Sequence, residues 1–480
     1  MAITLTGEQN RILNLPLNNP VQIKGGAGSG KTTVAIFRAR HLVASSQDWF
    51  RDTNVAIFSY TKSLVRYVES ILGPDQLSLT PIIVVTFHKW AYSFLKQRGV
   101  WKTRRVADQQ EIDQLIEEAK IPLRLEYPLR AVLDKQIEFF REEFAWIKGR
   151  RLLNEQEYSN AKRTGRGTTD RVTAQDKEII WKMFATYTTQ MTEKGLVDFE
   201  DFGSIALSLI ESDPSFVPPF SHLVVDEAQD MTPVQLLVLT RLVNAETNSI
   251  TIVADAAQRI YKSGFSWSDI GINIRGGRTV ELKRNYRNTK QIAQAAISLL
   301  ANDPQQTEFS AHILPERDGS LPNIISVNDD QSQIEYIVRV LRDIDLTMYS
   351  AVVLHRSRRR SNELHMVLAK EGFSPVSITA SEHGNLSDPG LYTCTMPSVK
   401  GLEFDHVIIC DLNDAVVPYP EGFTDENDEL HISTERRLLY TCMTRARHSL
   451  TLISSAQPPC RFLDEIDPVT VQRADSHAIP

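Results

Sequence analysis

Two short runs carry residue types able to do phosphate chemistry. The first, VQIKGGAGSGKTT over Val21–Thr33, sets Gly25, Gly28 and Gly30 ahead of Lys31, Thr32 and Thr33. Glycines at this spacing let backbone N–H groups turn inward around phosphate oxygens, at a helix N-terminus whose dipole favours anions. Lys31 then reaches the β- and γ-phosphates, and the Thr32 hydroxyl ligates Mg²⁺. The second run, HLVVDEAQD, brings Asp226 and Glu227 to the end of an apolar stretch. Asp226 suits a hold on the same Mg²⁺, and Glu227 suits orienting and deprotonating an attacking water. Taken alone, the first run is also a glycine-rich turn and the second a helix start at Asp230. Together they predict a chain that binds a nucleoside triphosphate.

The elements that must position these residues are legible as β-branched runs alternating with helical stretches. One set is Val21–Ile23, Val55–Phe58, Ile82–Val85, Leu223–Val225, Ile250–Val253 and Val280–Leu282. A second is Ile324–Val327, Ala351–Leu354, Val376–Ile378, Leu391–Cys394, Val407–Ile409 and Leu450–Ile453. Continuous apolar strands separated by helices predict parallel sheets covered on both faces, hence an α/β fold of two lobes. Strand signal vanishes between about Gly99 and Asp198, where Asp108–Ala119, Ala131–Lys148 and Thr173–Lys194 show helical patterns. The expected division is residues 1–98 and 199–290 for the first lobe, 99–198 for a helical insertion and 291–464 for the second lobe. Residues 465–480 show no periodicity and are expected to form a loose tail.

Composition narrows the partners. Of 480 residues 42% are apolar and 24% charged, with a formal net charge of −7. No global field draws this protein to polyanions, so nucleic-acid contacts must come from local clusters. Arg150, Arg151, Lys162, Arg163 and Arg166 form one such polar stretch, equally readable as a solvated surface. The four cysteines lack metal-site spacing, and three sit in apolar segments where buried thiols are expected. No apolar run approaches ~18 residues, and no signal-type core opens the chain, so a cytoplasmic protein with no membrane partner is expected.

At these residues the chain resembles the UvrD/PcrA/Rep branch of superfamily-one helicases, in a compact form, from roughly Leu5 to Ser455. The resemblance implies two RecA-like lobes, the first carrying the P-loop, with ATP between them. LTGEQNRIL is similar to the Q motif, which makes Gln9 the adenine reader. FSYTKSL and VTFHKWA resemble motifs Ia and Ib and place Tyr60, Thr61, Thr86 and His88 along a single strand. GLVDFEDF is also family-typical. VADAAQRIY resembles motif III, with Gln258 sensing the γ-phosphate and Tyr261 facing the nucleic acid. LKRNYRNT resembles motif IV, with Tyr286 stacking on adenine and Arg287 reaching the γ-phosphate. TMPSVKGLEF resembles motif V, bringing Ser398 to the strand, and ERRLLYTCMTRAR resembles motif VI, with Arg445 as second arginine finger. By analogy Arg38 flanks the base opposite Tyr286, and Glu403 holds the ribose. An arginine supplied across an interface is typically worth about 10³–10⁵ in rate, so the site is complete only when the cleft closes, and turnover becomes lobe movement.

Departures matter as much. Pro397 stands where motif V usually has histidine, and Ser263 where motif III usually has an aromatic; Phe265 and Trp267 follow as a stacking platform or as core. The basic run from His355 to Arg360 offers Arg356 and Arg358 as a phosphate patch. The accessory 2B domain of larger relatives is missing, since only Ala380–Gly390 separates the strand near Val376 from motif V. The resemblance implies ATP hydrolysis with Mg²⁺, stimulated by single-stranded DNA, and 3′→5′ movement; RNA stays open beside DNA. The alternative is a DNA-sensing ATPase switch that gates a partner nuclease, as compact UvrD-like ATPases of anti-phage systems do. A repair protein is the other expected kind of partner. A simple P-loop kinase would not need the motif V and VI residues.

Overall fold

The computed structural model describes residues 5, 7–26, 28–46, 53–59, 65, 81–161, 172–254, 267–274, 276–303, 314–378, 388–418, 429–454 and 458–475. β1 (Val21–Gly25) leads through the glycine loop into α1 (Lys31–Ser45); β2 (Val55–Ser59), β3 (Ile82–Thr86) and α2 (Phe87–Gln97) follow. The insertion opens at β4 (Arg105–Val106), which pairs with β5 (Leu196–Val197) where the chain returns. Between them run α3 (Gln109–Glu126), α4 (Ile137–Gly149), α5 (Glu155–Asn160) and α6 (Ala174–Glu193). Then α7 (Asp201–Glu211), β6 (His222–Val225), α8 (Pro233–Leu242), β7 (Ser249–Ala254) and β8 (Thr279–Leu282) complete the first lobe. Its strands are all parallel, in the order β3-β2-β6-β7-β1-β8.

The second lobe starts at α9 (Lys290–Leu300) and continues through β9 (Asn323–Ser326), α10 (Asp330–Arg342), β10 (Ser350–His355) and α11 (Arg358–Lys370). β11 (Val376–Ser377), β12 (Gly390–Thr395), β13 (Phe404–Ile409), α12 (Glu429–Met443), β14 (Ala446–Ser454), α13 (Phe462–Glu465) and β15 (Gln472–Asp475) follow. This sheet is also parallel, ordered β11-β12-β10-β13-β14-β9-β15.

Every apolar run expected as a strand falls on one, and the cores explain why. Along β2, Val55 and Ile57 face a core containing Ile36, Ala39 and Leu42 of α1. Ala56 and Phe58 face a different core, with Phe94 of α2, Leu207 of α7 and Leu239 of α8. Successive strand residues point to opposite faces, so a strand covered on both sides is apolar at every position. The second sheet divides in the same way, Val352 and Leu354 to one core and Ala351 and Val353 to the other.

The insertion has its own core of aromatic and aliphatic side chains, including Phe140, Phe144, Tyr158, Met183 and Tyr187. Capping boxes start α3 (Asp108 with Glu111) and α6 (Thr173 with Asp176). Its interior is tied to its exit: Lys148 Nζ, near the end of α4, donates to Asp198 Oδ2 at 2.6 Å and lies 2.8 Å from Asp201 Oδ1, and the Tyr187 hydroxyl of α6 donates to Asp198 Oδ2 at 2.9 Å. One expectation fails. Residues 466–475 are not a loose tail, because Gln472–Asp475 pairs with β9 at the sheet edge. Ile466 and Val471 anchor this stretch, and that spacing fits neither helix nor strand periodicity. Backbone hydrogen bonding rather than a side-chain pattern holds the strand. All four cysteines are buried free thiols. Among the described residues no helix is long and apolar enough to cross a membrane.

Candidate nucleotide site and nucleic-acid face

β1 ends inside its sheet, and the loop after it turns at Gly28 (φ 72°) and Gly30 (φ 80°). Room matters there as much as backbone freedom. A Cβ at Gly28 would stand 2.1 Å from Asn285 Oδ1, and one at Gly30 2.6 Å from Gln9 Nε2. The loop holds its own groups: Ser29 Oγ donates to Gly26 O at 2.9 Å, and Lys31 Nζ to the carbonyls of Gly25 and Gly26, both at 2.9 Å. Gln9 Nε2 donates to Ser29 O at 3.1 Å.

β6 lies two places from β1 in the sheet, and Asp226 and Glu227 come directly after its last residue. Thr32 Oγ1 donates to Asp226 Oδ2 at 2.9 Å, so a hydroxyl and a carboxylate converge on one point. Glu227 is left-handed (φ 52°, ψ 39°) without being glycine. Such a conformation costs on the order of 1–3 kcal/mol and concentrates at functional sites; here it turns the chain so that the carboxylate lines the cleft. Burial first, and then the neighbouring Glu227 charge, push the Asp226 carboxyl up to about 7. Burial also opposes ionisation of Glu227, but Lys400, Lys31 and Arg445 outweigh it and hold that carboxyl low.

The second lobe supplies the opposite wall. Arg287 of the linker, Gly401 and Glu403 ahead of β13, and Arg445 ahead of β14 line one cavity with Gly28–Thr33 and Glu227. Arg287 Nη2 donates to Glu403 Oε1 at 2.5 Å and Nη1 to Thr444 O at 3.4 Å. Arg445, only 1% exposed, donates from Nε to Thr441 O at 2.9 Å and from Nη1 to Leu402 O at 3.3 Å. Each keeps one buried donor, Arg287 Nε and Arg445 Nη2, with no partner among the described residues. A buried N–H left unmade is costly, and both arginines line the cavity that holds the glycine loop. Burial, then repulsion from Arg287, lowers the Arg445 guanidinium to about 10.

Two predicted positions are corrected and one contact is new. Arg38 does not flank the base. It is fully buried, and its guanidinium donates to the carbonyls of Ile12 (3.3 Å), Leu15 (3.0 Å) and Pro16, stapling the segment before β1 onto α1. Arg356 does not present a free charge to phosphate, because it forms a two-pronged ion pair with Glu435 of α12 at 3.0 and 2.9 Å. The new contact is Lys400, 2% exposed, which pairs with Asp230 and lies 3.7 Å from Glu227 Oε2. It joins the lobes behind the cavity. Its sequence signal was a lone lysine between Val399 and Gly401 in motif V.

Tyr286 stands beside the loop, its N–H donating to Gly28 O at 2.8 Å and its residue 44% exposed. Tyr60, Thr61, Gln258 and Tyr261 lie outside the described residues. Thr86 caps α2, accepting from Lys89 N at 3.3 Å. His88 is half-buried, its ring edge-on to Phe199 (5.8 Å) and near Phe202 (6.1 Å). Phe199 itself is 56% exposed, an aromatic face within GLVDFEDF to which the sequence alone assigns no role. Trp267 packs partly buried on the first-lobe core, which supports its reading as core. Arg358 and Ser398 are exposed at the C-terminal ends of β10 and β12, the latter's hydroxyl 2.8 Å from Thr395 Oγ1.

Known proteins share this arrangement in sequence. The UvrD/REP helicase N-terminal domain matches residues 5–272, and the UvrD-like helicase C-terminal domain matches residues 280–383 and 375–457. The ATP-dependent DNA helicase UvrD2 of Mycobacterium tuberculosis is 24% identical over 591 residues, covering 98% of this chain and 82% of that one. A probable DNA helicase of Mycoplasma pneumoniae is 23% identical over 476 residues, covering 93% and 84%. The ATP-dependent DNA helicase srs2 of Schizosaccharomyces pombe is 24% identical over 402 residues, covering 76% of this chain. This chain spans only 43% of that relative and 51% of a probable DNA helicase II homolog from Mycoplasma capricolum. With N- and C-terminal family domains matched in order across both lobes, the chain belongs to the UvrD/Rep family of helicases.

Proposed function

We propose that the chain is an ATP-dependent translocase or helicase on single-stranded DNA, hydrolysing ATP with Mg²⁺ and moving 3′→5′. The observation that carries this reading is the shared cavity, in which Arg287 and Arg445 of one wall face Lys31, Thr32 and Glu227 of the other. Thr32 and Asp226 fit Mg²⁺, because their oxygens already meet at 2.9 Å and are hard donors. When bound, the ion neutralises charge on the β- and γ-phosphates. Gly25, Gly28, Gly30 and Thr33 shape the loop, Gln9 and Tyr286 take the adenine, and Glu403 takes the ribose. Gln258 senses the γ-phosphate. Glu227, kept ionised by Lys400, accepts the proton of the attacking water, and the unpartnered guanidinium donors meet charge on the transferring phosphoryl group. DNA would run past Tyr60, Thr61, Thr86, His88 and Phe199 on the first lobe, then Tyr261, Arg358 and Ser398.

The test is ATP hydrolysis with and without a single-stranded DNA or RNA oligonucleotide, then strand displacement on a 3′-tailed duplex. A second reading has its own observation: only residues 378–389 lie between β11 and β12, too few for an accessory domain at that point. That suits a DNA-stimulated ATPase switch gating a partner nuclease. Robust unwinding by the chain alone favours the helicase, and stimulated hydrolysis without unwinding favours the switch.

A further inference from the structure

We propose that Glu8 is a positioning residue that ties recognition of the nucleotide base to the setting of the inter-lobe linker, and so to the placement of Arg287. The proposal rests on the ATPase reading above. Glu8 and Gln9 are neighbours at the start of the short 3₁₀ helix Gln9–Asn14, with Glu8 as its N-cap residue. Their side chains grip different parts of the molecule. Gln9 Nε2 donates to Ser29 O in the phosphate loop at 3.1 Å. Glu8 Oε1 accepts from the backbone N–H of Lys283 at 3.1 Å and of Arg284 at 2.8 Å, the first two residues beyond β8.

From that mooring the linker is hydrogen-bonded step by step. Tyr286 N donates to Gly28 O, and Asn285 Oδ1 accepts from the N–H groups of Arg287 (2.9 Å) and Asn288 (3.2 Å). Asn288 Nδ2 then donates to Thr444 O at 3.1 Å and Ala446 O at 2.5 Å, the two residues flanking Arg445. A base reader, a carboxylate, a linker and both arginines are thus joined without a gap. Adenine engaging the Gln9 amide, which carries two N–H donors and an acceptor oxygen, resets its contact with Ser29 O. That adjustment turns the helix start on which Glu8 sits, and Glu8 passes it to the linker. Two backbone N–H groups converging on one side-chain oxygen make a directional contact that depends on where that oxygen reaches. A reach-dependent latch of this kind differs from a diffuse charge effect.

The experiment compares wild type with Glu8→Ala, Glu8→Asp and Glu8→Gln in single-stranded-DNA-stimulated hydrolysis, measuring kcat and KM separately for ATP and GTP. Glu8→Ala loses the one oxygen that accepts both hydrogen bonds and Glu8→Asp keeps the charge but falls short by one methylene, so each should lower kcat for ATP about tenfold. KM for ATP should move far less, and the kcat ratio of ATP to GTP should fall toward one. Glu8→Gln keeps the acceptor oxygen at full reach and should stay within about twofold of wild type. An unchanged kcat in Glu8→Ala overturns the proposal. So does equal kcat for ATP and GTP in wild type, or a Glu8→Gln as impaired as Glu8→Ala beside an unimpaired Glu8→Asp. Should Glu8→Ala not fold, the Asp and Gln variants still decide. A wild type that hydrolyses neither nucleotide removes the ATPase reading itself, and this inference with it.

Discussion

The first lobe meets the cleft with residues placed after its strands, the second with residues placed before them. The glycine loop comes after β1 and Asp226–Glu227 after β6, whereas Glu403 stands just before β13 and Arg445 just before β14. Ligands of open α/β sheets normally sit at the C-terminal strand ends, so one wall obeys the rule and the other reverses it. Their hydrogen bonding differs too. The first wall satisfies its own cation, with Lys31 on the carbonyls of Gly25 and Gly26, while the second holds two buried guanidinium donors unpaired. The first wall must exchange partners to take a phosphate. The second is preorganised, and its donors cost no reorganisation when charge develops.

The sharpest break of that contrast is at Arg445. Arg445→Ala should cost about 10³–10⁵ in DNA-stimulated kcat. Arg445→Lys should not recover it, because the guanidinium fork is seated on the carbonyls of Thr441 and Leu402, and an ammonium lacks that geometry. Turnover that survives either change would make the second wall a scaffold. On the first wall, Glu227→Gln should lower kcat about 10²–10⁴-fold, with nucleotide binding, followed by a fluorescent analogue, largely kept. Loss of binding instead would move Glu227 from proton acceptor to structural support.

The same contrast decides what the sequence could tell. A strand, glycines, lysine and helix occur in chain order, so the first wall is readable residue by residue. The second wall is built from Arg287, Glu403 and Arg445, which adjoin only when the linker packs on the folded second lobe, and only family resemblance named them. Arg38 is misplaced at the base because only analogy with the family put it there. A better signal was present: Val34, Arg38 and Leu42 share one helix face, and all three are buried. Arg356 looked like part of a phosphate patch because Glu435 lies 79 residues away along the chain. β15 was missed because an edge strand held by backbone bonds needs no apolar alternation.

A smaller effect probes the join between the walls. Lys400→Met leaves Asp230 and Glu227 buried without their shared cation, and breaking a buried pair on one side costs about 3–5 kcal/mol. The melting temperature should drop. Lys400 is also the leading influence opposing the effect of burial on Glu227, so its removal raises that carboxyl. Glu227 must be ionised to accept a proton, so the acidic limb of the pH–rate profile should move to higher pH. An unmoved limb would show that Lys31 and Arg445 suffice to keep Glu227 charged.

The smallest effects lie away from the cleft, where two kinds of nucleic-acid contact can be separated. Phe199 offers an exposed ring backed by His88 and Phe202, with no charge of its own. Stacking on such a ring contributes about 1–3 kcal/mol per base. Phe199→Ala should therefore raise the oligonucleotide concentration for half-maximal ATPase stimulation about 5- to 150-fold, by a similar factor at every salt concentration. Arg358, exposed at the start of α11, would act on phosphate through counterion release. Arg358→Ala should weaken binding chiefly at low salt and flatten the log–log salt slope by about one unit. If both variants shift the slope equally, Phe199 acts by shaping the first-lobe surface rather than by stacking. If neither changes DNA affinity, the strand does not run along these C-terminal strand ends, and the nucleic-acid face must be sought elsewhere on the two lobes.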